Sequence, residues 1–308
     1  MYIQLIFTQV LIFKTVTFLL STSHQNSIMK IVMESAQTPI STDQSLRNRM
    51  RKFYETSEAY KNLLNQHNHV YLKSYVDLVD WYTPSDEYTL DLGCGNGISS
   101  KMLHDRGRNV VGVDISPLFL AETKKWENET LKYFVGDALS LDFESEQFGV
   151  VCSNELIEHT PDVEATLLEM IRVTRKGGRI VVAGPNLCSP IMPLLDFTQM
   201  TFGRDGRPIW AETKQQAFKN LLKNTKLYFK KRFGQQPNFL YREPDLENQI
   251  IGGDADSTYI ASPIDLEKFF RQQGLRVRRL CVGFGFKGKI MATFFPRTSL
   301  YISMVIEK

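Results

Sequence analysis

The run Thr89–Gly97, TLDLGCGNG, sets one carboxylate, Asp91, just ahead of three glycines at alternate positions, Gly93, Gly95 and Gly97. Glycine carries no Cβ, so it accepts positive φ and lets a ligand approach bare backbone. Two more carboxylates close later apolar runs: Asp114 ends NVVGVD, and Asp137 stands in Gly136-Asp137-Ala138. A fourth polar cluster, Ser153-Asn154-Glu155-Leu156-Ile157-Glu158-His159, follows the apolar run that begins at Phe148. An acid about twenty residues beyond a glycine turn, at the end of a second strand, can accept both hydroxyls of a ribose. It can equally cap the next helix, and Asp114-Ile115-Ser116-Pro117 suits that role as well. Asp137 can accept from an adenine amino group while Ala138 offers its backbone N–H; an ordinary turn aspartate is the alternative.

Asp91 discriminates among adenosyl cofactors. A carboxylate beside the glycines repels a pyrophosphate, and Ile98 stands where G-x-G-x-x-G needs its third glycine. A nicotinamide cofactor is therefore disfavoured. A phosphate-free cofactor carrying an ammonium and a sulfonium, S-adenosylmethionine, suits an acid there. For proton transfer the candidates are Glu158 and His159. An imidazole of ordinary pKa, about 6.5, accepts a proton at neutral pH. His159 precedes Thr160-Pro161, so a packing or capping role at the next helix is the competing reading.

These residues need a scaffold, and the pattern supplies one. Residues 41–82 read as helical, with Phe53, Tyr60, Leu63, Leu64 and then Tyr71, Leu72, Tyr75, Val76, Val79 near helical spacing. Strand candidates follow at Tyr88–Leu92, Asn109–Val113, Lys132–Val135, Phe148–Ser153 and Arg179–Ala183, rich in β-branched residues and read as buried on both faces. Helical stretches begin near Ile98, Pro117 and Val163. Strand and helix in turn predict a parallel sheet with right-handed crossovers. From Asn186 to Ala261 the rhythm breaks over a stretch too long for an ordinary loop. Within it Glu212–Phe233 reads as an amphipathic helix, with Phe218, Leu221, Leu222, Tyr228 and Phe229 on one side and Lys219, Lys223, Lys226 and Lys230 on the other. Ser262-Pro263-Ile264-Asp265 opens another helix, ending at Gly274. Leu275–Val282 and Tyr301–Glu307 are the closing strands.

The 308 residues carry a formal net charge of +3, too small to argue for nucleic acid or membrane by itself. The four cysteines, Cys94, Cys152, Cys188 and Cys281, make no C-x-x-C pair, so neither a zinc site nor a disulfide framework is expected, and a reducing cytoplasm is the simplest setting. Residues 1–20 are apolar but interrupted by Gln4, Gln9 and Lys14. A Lys at the centre of a membrane span costs about 3 kcal/mol. No basic region precedes the apolar run, as a signal peptide requires. Residues 1–40 are therefore read as an extension from an overlong start, with Met29 or Met33 as the alternative first residue; a poor signal anchor and a frayed amphipathic extension are the other readings.

Five motifs in order resemble those of the class I S-adenosylmethionine-dependent methyltransferases, in the broad group of ubiquinone- and menaquinone-biosynthesis type and small-molecule enzymes: LDLGCGNG, VVGVDIS, GDAL, FGVVCSNELIEHTPD and LLEMIRVTRKGGRIVVAGPN. The resemblance covers about Leu90 to Pro185 closely and Ser262 onward more loosely. It implies a Rossmann-like α/β fold of seven strands, mainly parallel with the last antiparallel, and helices on both faces. The region 186–261 has no family-wide pattern, and because both its ends leave the sheet near the cofactor face it is expected to be a helical insertion that caps the acceptor site. It implies that Asp91, Gly93, Cys94 and Gly95 line the methionine moiety, Asp114 and Ile115 the ribose, Asp137 and Ala138 the adenine, and Asn154 the inner edge. Gly149 departs from the family, which usually has an acid after Phe148.

The expected organisation is an extension at 1–40, N-terminal helices and a cofactor-binding core at 41–185, a substrate cap at 186–261, and completion of the sheet at 262–308. The expected activity is methyl transfer from S-adenosylmethionine to a small or medium organic acceptor, at oxygen, carbon or nitrogen. Phe197, Phe202, Trp210, Phe239 and Tyr241 form either an acceptor pocket wall or the insertion's own small core. The basic face of 212–233 is a solvated face, or it meets an anionic substrate or an acidic membrane surface holding a lipid-like acceptor. No metal and no nucleic acid are expected. A non-catalytic, regulatory cofactor-binding domain and a nicotinamide-dependent oxidoreductase are the competing functions.

Overall fold

A computed structural model describes residues 44–64, 68–203, 211–247, 255–283 and 285–308. The extension at 1–40 and Trp210 lie outside the described residues.

Three helices lead in: α1 (Gln44–Thr56), α2 (Glu58–Leu64) and α3 (His69–Tyr82). Asn68 starts α3 by accepting from the Val70 and Tyr71 amides, which would otherwise lack partners. The alternation then gives β1 (Thr89–Leu92), α4 (Ile98–Asp105), β2 (Val110–Asp114), a 3₁₀ turn (Leu120–Trp126), β3 (Leu131–Val135), β4 (Phe148–Asn154), a short 3₁₀ turn (Ile157–His159), α5 (Val163–Val173) and β5 (Thr174–Pro185). The stretch after Pro117 is thus a 3₁₀ element rather than an α-helix. The insertion contributes α6 (Ile191–Phe202) and α7 (Lys214–Phe233); α8 (Pro263–Gln272), β6 (Arg276–Arg279), α9 (Gly285–Phe294) and β7 (Tyr301–Glu307) complete the chain. Neither α6 nor α9 was legible as a helix.

The sheet runs β3-β2-β1-β4-β5-β7-β6. β3, β2, β1, β4 and β5 are parallel, whereas β7 pairs antiparallel with both β5 and β6. This is the Rossmann-like, mainly parallel seven-stranded sheet expected. Strand order reverses between β1 and β4, and ligands of such sheets bind beyond the carboxyl ends there. The central strands are buried on both faces, with Leu90, Phe148, Val150, Val151, Val181 and Met304 in the core. The edge strand β3 instead alternates, burying Leu131 and Tyr133 but exposing Phe134 and Val135, because an edge strand is covered on one side only.

Gly149 has a structural reason. A Cβ there would run into the Glu87 side chain, which is paired with the Arg175 guanidinium.

Candidate active site

One cleft opens at the carboxyl ends of β1, β2 and β4, between the sheet and helices α1 to α3. Gly93, Cys94 and Gly95 form one wall; Asp114, Ile115, Asp137 and Ala138 another; Asn154, Glu155 and His159 a third. The turn after β1 holds Gly93, Gly95 and Gly97 at φ of 72°, 54° and 75°, a region that L side chains rarely adopt. At Gly93 a Cβ would also come within 2.8 Å of Leu156 Cδ1. Positive φ at all three positions, and the contact with Leu156 at Gly93, therefore favour glycine in this wall of the cleft.

Asp114 binds the turn to β2. Its carboxylate accepts from the Gly95 amide at 2.8 Å and the Ser116 amide at 2.9 Å. Asp114 thus lines the cleft and closes the turn at Ser116, but it does not cap the next element, which begins at Leu120 with Phe119 as its N-cap. Burial drives its pKa up to about 6, against the lowering effect of those amides. Asp137 accepts from the Leu139 amide at 2.9 Å and from Arg47 and Arg51 of α1, at 2.8 and 2.5 Å. Burial pushes its carboxyl up, but the amide and the two guanidiniums outweigh that and hold it below the ordinary range. Asn154 accepts from the Tyr301 hydroxyl at 2.6 Å. Its neighbour Glu155 sits at φ 51° and takes the hydroxyls of Tyr71 and Tyr301 at 2.5 and 3.3 Å.

Asp91 departs from expectation. It does not line the cleft: the Tyr75 hydroxyl donates to it at 2.8 Å, and the Ser99 and Ser100 hydroxyls each at 2.7 Å. The reason is the period of two in a strand. Leu92 faces the cleft, so its neighbour Asp91 points to the other side of the sheet. There it ties α3 and α4 to β1, and burial raises its pKa. Glu158 departs likewise. It is fully buried behind the cleft wall, beside Gly184, and its carbonyl accepts from the Thr258 and Tyr259 amides at 2.7 and 3.0 Å.

His159 does line the cleft, with a partner that sequence reasoning missed. Its Nδ1 lies 3.1 Å from Asp256 Oδ2, and the Tyr54 hydroxyl donates to the same oxygen at 2.8 Å. Burial raises the Asp256 carboxyl, but the charge of His159, its contact and the Tyr54 hydroxyl bring it down to about 2. Asp256 belongs to the returning limb of the insertion, held by hydrogen bonds from Thr258 and Tyr259 to Glu158. Among the described residues, Phe197, Phe202, Phe239 and Tyr241 form neither one pocket wall nor one core of the insertion, and Phe197 meets Phe218. Phe239 and Tyr241 pack against the main core, and Phe202 is exposed. Among the described residues no group of three His, Cys, Asp or Glu is arranged to hold a metal.

Comparisons with known proteins agree with the fold. Residues 90–182 match the methyltransferase domain family. The 2-methyl-6-phytyl-1,4-hydroquinone methyltransferase of Synechocystis is 40% identical over 106 residues, 33% of this chain and 33% of that one. The demethylmenaquinone methyltransferase of Beutenbergia cavernae is 41% identical over 97 residues, 32% of this chain and 40% of that one. This chain thus spans between a third and two fifths of the length of these curated relatives. A chain from the complex of the Haloferax volcanii Trm112 methyltransferase activator with its candidate methyltransferase superposes with a TM-score of 0.50 at 14% identity, covering 84% of this chain and 96% of that one, a likeness of fold alone. The sheet order, the cleft and these matches define a domain of the methyltransferase class. Residues 90–182 form a methyltransferase domain of the class I S-adenosylmethionine-dependent kind.

Proposed function

We propose that this chain transfers a methyl group from S-adenosylmethionine to a small or medium-sized organic acceptor. One observation carries this reading: a single cleft joins the glycine turn and Asp114 to a histidine backed by a carboxylate. The cleft suits that cofactor. One wall is glycine backbone held at positive φ, and Asp114 stands at the end of β2 beside the turn. When bound, S-adenosylmethionine supplies an electrophilic methyl whose leaving group is a neutral thioether.

The protein's part is orientation and proton handling. Gly93, Cys94, Gly95 and Asn154 line the methionine end, and Asp114 with Ile115 holds the ribose. Asp137 and Ala138 border the adenine, with Arg47 and Arg51 fixing the Asp137 carboxylate. Holding donor and acceptor in line is the larger part of the acceleration. His159 takes the proton of an acceptor hydroxyl, and Asp256 orients the ring and stabilises the imidazolium that forms. Asp91 and Glu158 act by holding the walls.

The relatives' names favour a quinol- or phenol-like acceptor bearing an apolar tail. Such an acceptor calls for peripheral membrane contact, for which the basic helix at 212–233 is the proposed element. The four cysteines are free thiols, which suits a cytoplasmic setting. Among the described residues no helix is long and apolar enough to cross a membrane. The test is methyl-labelled S-adenosylmethionine incubated with the protein and a lipid extract. Label should pass into an organic product, and His159→Gln should lower the rate about a hundredfold or more. Label transfer unchanged in that variant removes His159 as the base; no transfer into any fraction contradicts the function.

A further inference from the structure

Helix α7 is folded with its apolar side outward. Its inner face is Ala217, Asn224, Tyr228 and Lys231, spaced for one side of a helix. That face is fixed by polar contacts. Asn224 donates to the carbonyls of Leu187 and Ser189 at 3.3 and 2.8 Å, and the buried Lys231 ammonium pairs with Asp265 and donates to the Asn238 carbonyl at 2.7 Å. The outer face carries Phe218, Leu222 and Phe233, which are 48%, 56% and 76% exposed. Lys219, Lys223 and Lys226 are interleaved with them, and all three are exposed. From Lys214 to Phe233 the helix holds no acidic residue. None of Lys219, Lys223 and Lys226 forms a salt bridge with the described residues. Phe202, at the end of the neighbouring α6, is 76% exposed as well.

Solvent gives no reason to expose three large apolar side chains on one stripe, and a solvated basic face does not need them. We infer that the outer face of α7 lies on an anionic lipid surface, with Phe218, Leu222 and Phe233 entering the headgroup–acyl boundary and the lysines contacting lipid phosphates. Both signals of an interfacial helix are present, apolar area and positive charge on one face. Lysine stems reach past apolar neighbours to place their ammonium groups in the headgroups. The face is a convex helix rather than a groove, which suits a deformable lipid surface better than a shaped protein ligand. Its position suits the proposed reaction, on which the identity of a lipid-borne acceptor rests. Leu187 and Ser189, which α7 grips, follow directly on the carboxyl end of β5, the end of the sheet that carries the cleft.

The test is co-sedimentation of the full chain with phosphatidylcholine vesicles, with and without phosphatidylglycerol. Binding is expected only with the anionic lipid and should fall steeply at high salt. Replacing Lys219, Lys223 and Lys226 with Gln together should weaken it about a hundredfold, at roughly fivefold per lysine. Phe218→Ser with Leu222→Ser should abolish it even at low salt. Both variants should keep the wild-type far-ultraviolet spectrum and their binding of S-adenosylhomocysteine, so a folding failure or a failure of the methyltransferase reading is seen separately. Wild-type binding in both variants overturns the assignment to this face. So does equal binding to neutral vesicles, or association with an acidic protein and with no vesicle.

Discussion

His159 Nδ1 stands 3.1 Å from Asp256 Oδ2, across a junction between the core of the sheet and the returning limb of the insertion. A ring in the cleft wall is thereby held by a carboxylate from a separate part of the chain, with the Tyr54 hydroxyl of α1 on the same oxygen at 2.8 Å. The proposed base and its orienter come together only when α1, the core and the insertion are assembled.

Asp256→Asn keeps the shape and removes the charge. Turnover should drop by about one to two orders of magnitude with little change in KM, since such an orienter acts on the transition state. The acidic limb of the pH–rate profile should move to lower pH, because an imidazolium that loses the nearer of its two carboxylate neighbours, Asp256 at 3.1 Å against Glu158 at 3.9 Å, gives up its proton more readily. Tyr54→Phe should show the same direction at smaller size. A profile unmoved in Asp256→Asn removes the orienting role.

Asp114 has a pKa raised by burial to about 6, and a carboxylate accepts ribose hydroxyls better than a carboxylic acid does. Binding of S-adenosylhomocysteine should therefore tighten as the pH rises through about 6 and then level off. The stability of the ligand-free protein should move oppositely. The folded pKa lies above the unfolded one, so the folded state holds more protons between about pH 4 and 6, and stability falls as the pH rises across that window. Asp114→Asn should flatten both curves; a pH step that survives in the variant belongs to another group.

Gly93→Ala forces a Cβ to 2.8 Å from Leu156 Cδ1 at a φ of 72°. The left-handed conformation alone costs about 1–2 kcal/mol for an L-residue. The variant should lose that much stability in urea unfolding and weaken cofactor binding more than Gly107→Ala, which also has positive φ but meets open space. Equal effects at the two glycines contradict the role given to the turn.

Breaking the buried pair of Lys231 and Asp265 should be costly. Lys231→Ala leaves Asp265 buried without its cation, and such losses are about 3–5 kcal/mol. Lys231→Met combined with Asp265→Leu should recover much of it, as denaturant unfolding will report.

Much of the site was legible because its residues sit where strands end, and local pattern marks those places. Gly93, Cys94, Gly95, Asp114, Ile115, Asp137, Ala138, Asn154 and His159 all line the cleft. Asp91 was misread because spacing gives a position along a strand, while the side chain's face depends on which neighbour turns inward. Helix α7 was legible as a helix with a solvated lysine face, but the exposure of Phe218 and Leu222 was not, because which side is covered is decided by Asn224 and Lys231 finding partners elsewhere in the chain. Asp256 had no local signal at all, since its role exists only through a contact made by folding. Arg47 and Arg51 likewise carried no local signal, since only the docking of α1 brings them to Asp137.

The central claim is that this cleft holds S-adenosylmethionine. Isothermal titration of the full chain with S-adenosylhomocysteine tests it most directly, with NADH as the control. One site per chain is expected, weakened at least tenfold by Asp114→Asn, with no heat from NADH. Saturable binding of NADH, or no binding of S-adenosylhomocysteine by a folded protein, would contradict the account.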